Sequence, residues 1–326
     1  MGRHLHDKNK TIYDVMRKYN LSASDSSIRT YVTNIEKLYR DLGLDVDNGN
    51  YKELEKTDKV FELLDGQEMS FNTYKNKLSS IITYLLSNGV DKKIVTKYSE
   101  KVDALSAKID RNKEKMEWND KEQKNKEDIN VLKEYIKTMK NKLPPTINKY
   151  IDLYKYMLYI VGAFHLEYPL RNELCDARIY NRVEFDKLNK TDHEVNYIIL
   201  DTKKVSASVI LNKYKTSKTY NTIEFDIDDK PLCQTFIKYY TALKKILSDE
   251  EYKNHWLLFK TDMSKLNRNE YTKFMQRVFE GTGKRISSSL IRKIVLSSVY
   301  PVEKMKALSK IMGHSIKTAI DDYVKN

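Results

Sequence analysis

Strand-patterned sequence is confined to one short window of this chain. Three short runs at residues 197–201, 207–211 and 222–226 are rich in β-branched and aromatic residues, and no other stretch reads that way convincingly. A sheet built from them is small and antiparallel, so nearly everything else must fold as helix. Apolar residues do recur at helical spacing on both sides of the window. Ile28, Val32, Ile35, Leu38 and Leu42 mark one amphipathic helix over 24–42, with Asp25 or Ser26 as cap and Gly43 as stop. Tyr74, Leu78, Ile81, Ile82 and Leu85 mark a second over 71–87, ended by Gly89.

Between residues 91 and 130 charge runs dominate, which predicts a solvated helix and a linker. Helical periodicity resumes at Ile129, Leu132, Ile136 and Met139. Pro144 and Pro145 then break the chain before a long apolar helix over 146–164. A helix over 231–247 follows the strands, and the sequence beyond Arg268 divides into four or five short helices. The expected organisation is a helical unit at 1–100, a charged helical linker at 101–144, and a mainly α domain with a minor sheet at 145–326.

Lysine and arginine number 59 against 46 aspartates and glutamates, a formal charge of +13 that suits a polyanionic partner such as nucleic acid. Cys175 and Cys233 are too few for a disulfide framework and lack zinc-site spacing, so no metal site is expected. No stretch approaches the roughly 20 apolar residues that span a bilayer, so an intracellular protein without membrane contact is expected.

The chemistry concentrates late in the chain. Met312-Gly313-His314-Ser315 is followed, nine positions after the histidine, by Tyr323. Read as structure alone, Gly313 ends one helix, Ser315 caps the next, and Tyr323 is one of 24 tyrosines. The motif also resembles the closing motif of the tyrosine recombinases, the phage-integrase family. Upstream, Ser289-Leu290-Ile291-Arg292 stands where that family carries its His-x-x-Arg box, with serine in place of histidine. Spacing of three puts Ser289 and Arg292 on one helix face, but a serine can neither carry positive charge nor act as a base near neutral pH. Tyr168-Pro169-Leu170-Arg171 resembles the turn bearing the family's first arginine, with Glu173 one position earlier than the usual acidic residue. The family's hairpin lysine corresponds to Lys215 or Lys218, between the second and third predicted strands, and the register stays open.

These elements occur in the family's order over residues 165–323. The resemblance implies a mainly α fold: an N-terminal core-binding domain and a helical catalytic domain with a small antiparallel sheet. It implies a site-specific recombinase or integrase acting on double-stranded DNA through a 3′-phosphotyrosyl intermediate, without metal or cofactor, as a homotetramer on DNA. Tyr323 would be the nucleophile. Arg171, Arg292 and His314 would stabilise the phosphate oxygens, Lys215 or Lys218 would protonate the leaving 5′-oxygen, and Ser289 would fill the altered box position. The sequence around Ile286 and Met312 is similar to recombinases of large DNA viruses and their parasites. Two other readings remain: a type IB topoisomerase with the same residue set, and a DNA-binding relative without catalysis. Nine residues of unbroken helix would separate His314 from Tyr323 by about 13 Å, so the chain must turn between them or the tyrosine must swing.

Overall fold

The computed structural model describes residues 7–46, 51–188, 192–299 and 302–325. It divides into two compact units, Met1–Lys115 and Met116–Asn326.

The first unit is helical: α1 (Asp7–Tyr19), α2 (Asp25–Asp41), α3 (Thr57–Asp65), α4 (Phe71–Ser87) and α5 (Lys92–Glu114). Ser24 caps α2 by accepting the Ser27 N–H, and Ser70 caps α4 by accepting that of Thr73. Each such cap contributes about 1 kcal/mol. The apolar stripes expected from the sequence meet in one core, where Ile28, Ile35 and Leu38 of α2 lie with Leu78, Ile81 and Leu85 of α4. Tyr98 of α5 is fully buried in the same core and donates to the Leu54 carbonyl at 2.6 Å.

The second unit begins with α6 (Asp120–Asn125), α7 (Ile129–Asn141) and α8 (Tyr150–Glu167). Helix α8 is apolar on almost every side because it runs through the main core, with Leu153, Met157, Ile160, Val161 and Phe164 buried. A Cβ on Gly162 would come within 2.8 Å of Val278, so the helices press closely there. Next come β1 (Arg178–Asn181), α9 (Arg182–Phe185), β2 (Tyr197–Asp201), β3 (Ser206–Leu211), α10 (Ser217–Tyr220) and β4 (Ile223–Asp226). The helices α11 (Lys230–Ile246), α12 (Asp249–Tyr252), α13 (Arg268–Val278), α14 (Ser288–Ser297), α15 (Val302–Ile311) and α16 (Ile316–Tyr323) complete the unit.

The three expected strands pair antiparallel, and β1 adds to the β2 edge in parallel, giving a four-stranded mixed sheet in the order β1-β2-β3-β4. Strand β2 has no polar face because both faces are covered: Ile198 and Leu200 face the main core, and Tyr197 and Ile199 a smaller one with Tyr180 and Val195. The charged stretch 101–144 is shared between the units. Leu105 belongs to the first core, whereas Leu132 and Ile136 of α7 are buried in the second.

Candidate active site

Helix α8 stops at Glu167 because Pro169 cannot continue it, and the chain leaves as the turn Tyr168-Pro169-Leu170-Arg171. Three contacts fix this turn. The Arg292 Nε–H on α14 donates to the Pro169 carbonyl at 2.9 Å, Ser288 Oγ donates to Asn172 Oδ1 at 2.5 Å, and Tyr168 Oη accepts the Asp228 N–H at 2.8 Å. Beneath the turn, His165 is wholly buried, its Nδ1 3.0 Å from the Val161 carbonyl and its Nε2 3.3 Å from Tyr271 Oη. Burial holds its pKa down to about 4, so the ring is neutral. One proton on Nδ1, donated to Val161, leaves Nε2 to accept from the tyrosine.

Arg171 Nη2 donates to the Tyr323 hydroxyl at 3.0 Å, across 152 residues of sequence. The Arg292 guanidinium carbon lies 5.0 Å from the centre of the Tyr323 ring. The His314 ring stacks on the same phenol, with centroids 5.4 Å apart and planes at 28°. Both Arg292 and His314 are buried, at 3% and 7% exposure, and Arg292 Nη2 and His314 Nε2 have no hydrogen-bonding protein partner. Glu173 is buried nearby with Oε2 likewise unpartnered. Burial depresses the Arg292 pKa, with Tyr323 opposing the shift, and depresses that of His314, with the arginines adding to it. The Glu173 carboxyl is raised by burial, against the pull of Arg292 and Arg171. Unpartnered buried polar groups are costly to a fold, and the free Arg292 Nη2 beside the phenol suits an anion such as phosphate, while His314, whose Nδ1 lies 3.1 Å from the Ser315 carbonyl, would give an anion a hydrogen bond only in its protonated form.

The turn that the His314–Tyr323 spacing demands is present. Gly313 adopts φ +64°, and Ser315 opens α16 by accepting the Thr318 N–H, so the histidine sits at a corner and not on the tyrosine's helix. The capping roles and the site geometry therefore coexist. Ser297 of α14 holds the far end of α16: its hydroxyl accepts the Lys325 N–H at 2.7 Å and donates to the Tyr323 carbonyl at 3.4 Å.

The loop between β3 and β4 docks on this corner. Thr216 Oγ1 donates to the Gly313 carbonyl at 2.5 Å, and a Cβ on Gly313 would meet the Tyr214 ring at 2.5 Å. Lys215 precedes that contact and Lys218 lies on α10 just after it; both are exposed, and among the described residues neither is in a salt bridge. A cleft of about 590 Å³ opens beside the corner, lined by His314, Tyr220, Thr222, Lys306 and Lys310. Ser289 is exposed and makes no side-chain hydrogen bond among the described residues, whereas its neighbour Ser288 is the serine turned toward the Arg171 turn. The i,i+3 relation leaves Ser289 and Arg292 about 60° apart around α14, enough for one to face solvent while the other is buried.

His165 beneath the turn has no signal in the sequence, and neither does Asn196, whose carboxamide bonds the Glu173 and Lys213 carbonyls. A buried asparagine and a helix-borne histidine are ordinary residues until their partners are seen. Among the described residues no cluster of three or more His, Cys, Asp or Glu is arranged to hold a metal ion, and no helix is long and apolar enough to cross a membrane.

The sequence matches no known family, and no curated protein matches it. Among solved structures the chain is similar to the crystal structure of XerA recombinase, at 10% identity over 97% of this chain and 94% of that one, with a TM-score of 0.40. A likeness of that size carries no weight for function, which rests on the site's own geometry.

Proposed function

We propose that this protein breaks and rejoins DNA strands as a tyrosine recombinase does, with Tyr323 as nucleophile. The observation that carries the reading is the convergence on one phenol of Arg171, Arg292 and His314, two of them buried with a free N–H or ring nitrogen. A planar guanidinium offers two parallel donors to phosphate oxygens, and two of them from separate segments form a clamp on a phosphorane. In the proposed step the Tyr323 oxygen bonds to phosphorus and the bond from phosphorus to the 5′-oxygen breaks. Lys215 or Lys218 gives that oxygen its proton, while the phenol proton leaves to solvent. The DNA is left with a 3′-phosphotyrosyl link and a free 5′-hydroxyl, and attack by a second hydroxyl reverses the step without hydrolysis. The Arg171 N–H and the Arg292 charge favour negative charge on the attacking oxygen and on the phosphate.

Duplex DNA as substrate fits the first unit as well. The outward face of α2 carries Ser26, Arg29, Thr30, Thr33 and Lys37, and Asn72, Thr73 and Asn76 are exposed on α4. Hydroxyl, carboxamide and guanidinium groups on a helix face suit phosphates and base edges in a major groove. The full reading is a site-specific recombinase or integrase that assembles as a homotetramer on its DNA, with the first unit gripping the core sequence.

The test is to incubate wild-type and Tyr323→Phe protein with a random-sequence duplex library, denature in detergent, and recover DNA covalently attached to protein. Wild type should yield an adduct on the peptide bearing Tyr323, and the phenylalanine variant none. A folded, DNA-binding wild type that gives no adduct would instead support the reading as a non-catalytic relative. Exchange between two recovered sites separates recombination from the relaxation alone expected of a type IB topoisomerase.

A further inference from the structure

Asn196, immediately before β2, is 1% exposed and uses all of its hydrogen-bonding capacity on backbone. Its Nδ2 donates to the Glu173 carbonyl at 2.9 Å and to the Lys213 carbonyl at 3.0 Å. Its Oδ1 accepts the N–H groups of Asn212 at 2.9 Å and Lys213 at 2.8 Å. A carboxamide has two donors and two acceptor lone pairs, so nothing is left over. One side chain thus ties the segment just after Arg171 to the first two residues of the loop that carries Lys215 and Lys218.

Other contacts stiffen the same joint. Asn212 Nδ2 donates to the Val195 carbonyl at 2.9 Å, Thr222 Oγ1 donates to Asn212 Oδ1 at 2.9 Å, and Lys213 Nζ lies 3.8 Å from Asp176 Oδ2. The loop is held again at Thr216, on the carbonyl next to His314. Lys215 is therefore carried between an anchor to the arginine turn and one to the histidine corner, with Lys218 just beyond the second, although both side chains are exposed.

We propose that Asn196 is a positioning residue that sets the register between the arginine clamp and the proton-donating lysine. The proposal rests on the strand-cleavage reading above. Its consequence is specific to proton delivery: loosening Asn196 displaces the lysine from the departing 5′-oxygen while Arg171, Arg292, His314 and Tyr323 keep their mutual contacts. An alkoxide is a poor leaving group and needs that proton, whereas a thiolate, the conjugate base of a far stronger acid, departs without one.

The experiment compares adduct formation on two versions of the duplex recovered with wild-type protein, one with oxygen and one with sulfur bridging phosphorus to the 5′-carbon. Asn196→Asp keeps the shape and the acceptor but turns a second oxygen toward two carbonyls; Asn196→Ser removes most of the carboxamide. Both variants should lose about 10²-fold in rate on oxygen, the order contributed by general acid catalysis, and less than about fivefold on sulfur. Because the two rates are read on one preparation, partial unfolding lowers both and leaves their ratio unchanged. Replacing the lysine that acts as acid should give the same split. Equal losses on oxygen and sulfur, no loss on oxygen, or complete unfolding of both variants would overturn the positioning role while leaving the Tyr323 reading intact. Absence of a wild-type adduct on either duplex would overturn both.

Discussion

Replacing Arg292 with methionine should separate what the site does for the reaction from what it does for the fold. The residue is 3% exposed, its Nε donates to the Pro169 carbonyl at 2.9 Å, its guanidinium lies against the Tyr323 ring, and Nη2 has no protein partner. Methionine fills similar space without charge. Losing the bond to Pro169 costs about 1–3 kcal/mol if the carbonyl stays unsatisfied, and removing a buried unsatisfied donor returns a similar amount. The two nearly cancel, so the free protein should unfold within about 2 kcal/mol of wild type. The reaction has no such compensation: losing one donor to the phosphate should slow adduct formation about 10²- to 10³-fold, around 3 kcal/mol or more. Urea denaturation monitored by circular dichroism reads the first quantity, and the rate of covalent capture on the recovered duplex reads the second. A variant that captures DNA within tenfold of the wild-type rate would refute the assignment of Arg292 to the phosphate. One destabilised by more than about 4 kcal/mol would show the arginine to be mainly a strut of the fold.

Gly313→Ala should destabilise the second unit by about 2–4 kcal/mol, combining a left-handed backbone at φ +64° with overpacking against the Tyr214 ring. It should also slow capture by moving His314; a normal urea midpoint would contradict the close packing at this corner. The pH dependence of stability offers an independent check through His165. Its pKa near 4 in the folded protein lies below the ordinary value of 6.5, so its contribution is fully present above pH 6.5 and is lost as pH falls toward 4. Between pH 7 and pH 5 the wild type should lose about 2 kcal/mol more than His165→Asn, at 1.36 kcal/mol per pH unit below 6.5; parallel curves would refute burial as the cause.

What the sequence reveals and what it conceals follow from how far each feature depends on neighbours. Helices α2 and α4 are legible because apolar period, cap and glycine stop all lie within one segment, and β2 to β4 because their residue types are concentrated. Strand β1 is four residues, Arg178 to Asn181, whose place beside β2 is set by a parallel pairing that no local pattern encodes. The 101–144 stretch reads as linker because charge is dense, yet the few apolar residues of α7 suffice to seat that helix in the second core, while Leu105 lies in the first. At the site, Arg171, Arg292, His314 and Tyr323 are visible through motif spacing and meet as that spacing requires. Ser289 shares the same spacing, but its exposed rotation on α14 is decided by which side of Arg292 the core takes. Asn196 escapes notice because its four partners are backbone groups from distant segments, which have no sequence signature.

The bond between Arg171 and Tyr323 also orders events in time. In chain order the arginine turn, the hairpin loop, α14 and the histidine corner all precede the phenol, and 152 residues separate the two ends of that bond. A contact of such separation carries a loop-closure cost, and it cannot form before the phenol has been made. If Tyr323 is the cutting group, a chain still emerging from the ribosome can acquire its DNA-gripping surfaces before it can sever anything. On that reading a product cut short before Tyr323 would lack the cutting group whatever else of it had folded, a consequence of the order of the segments alone.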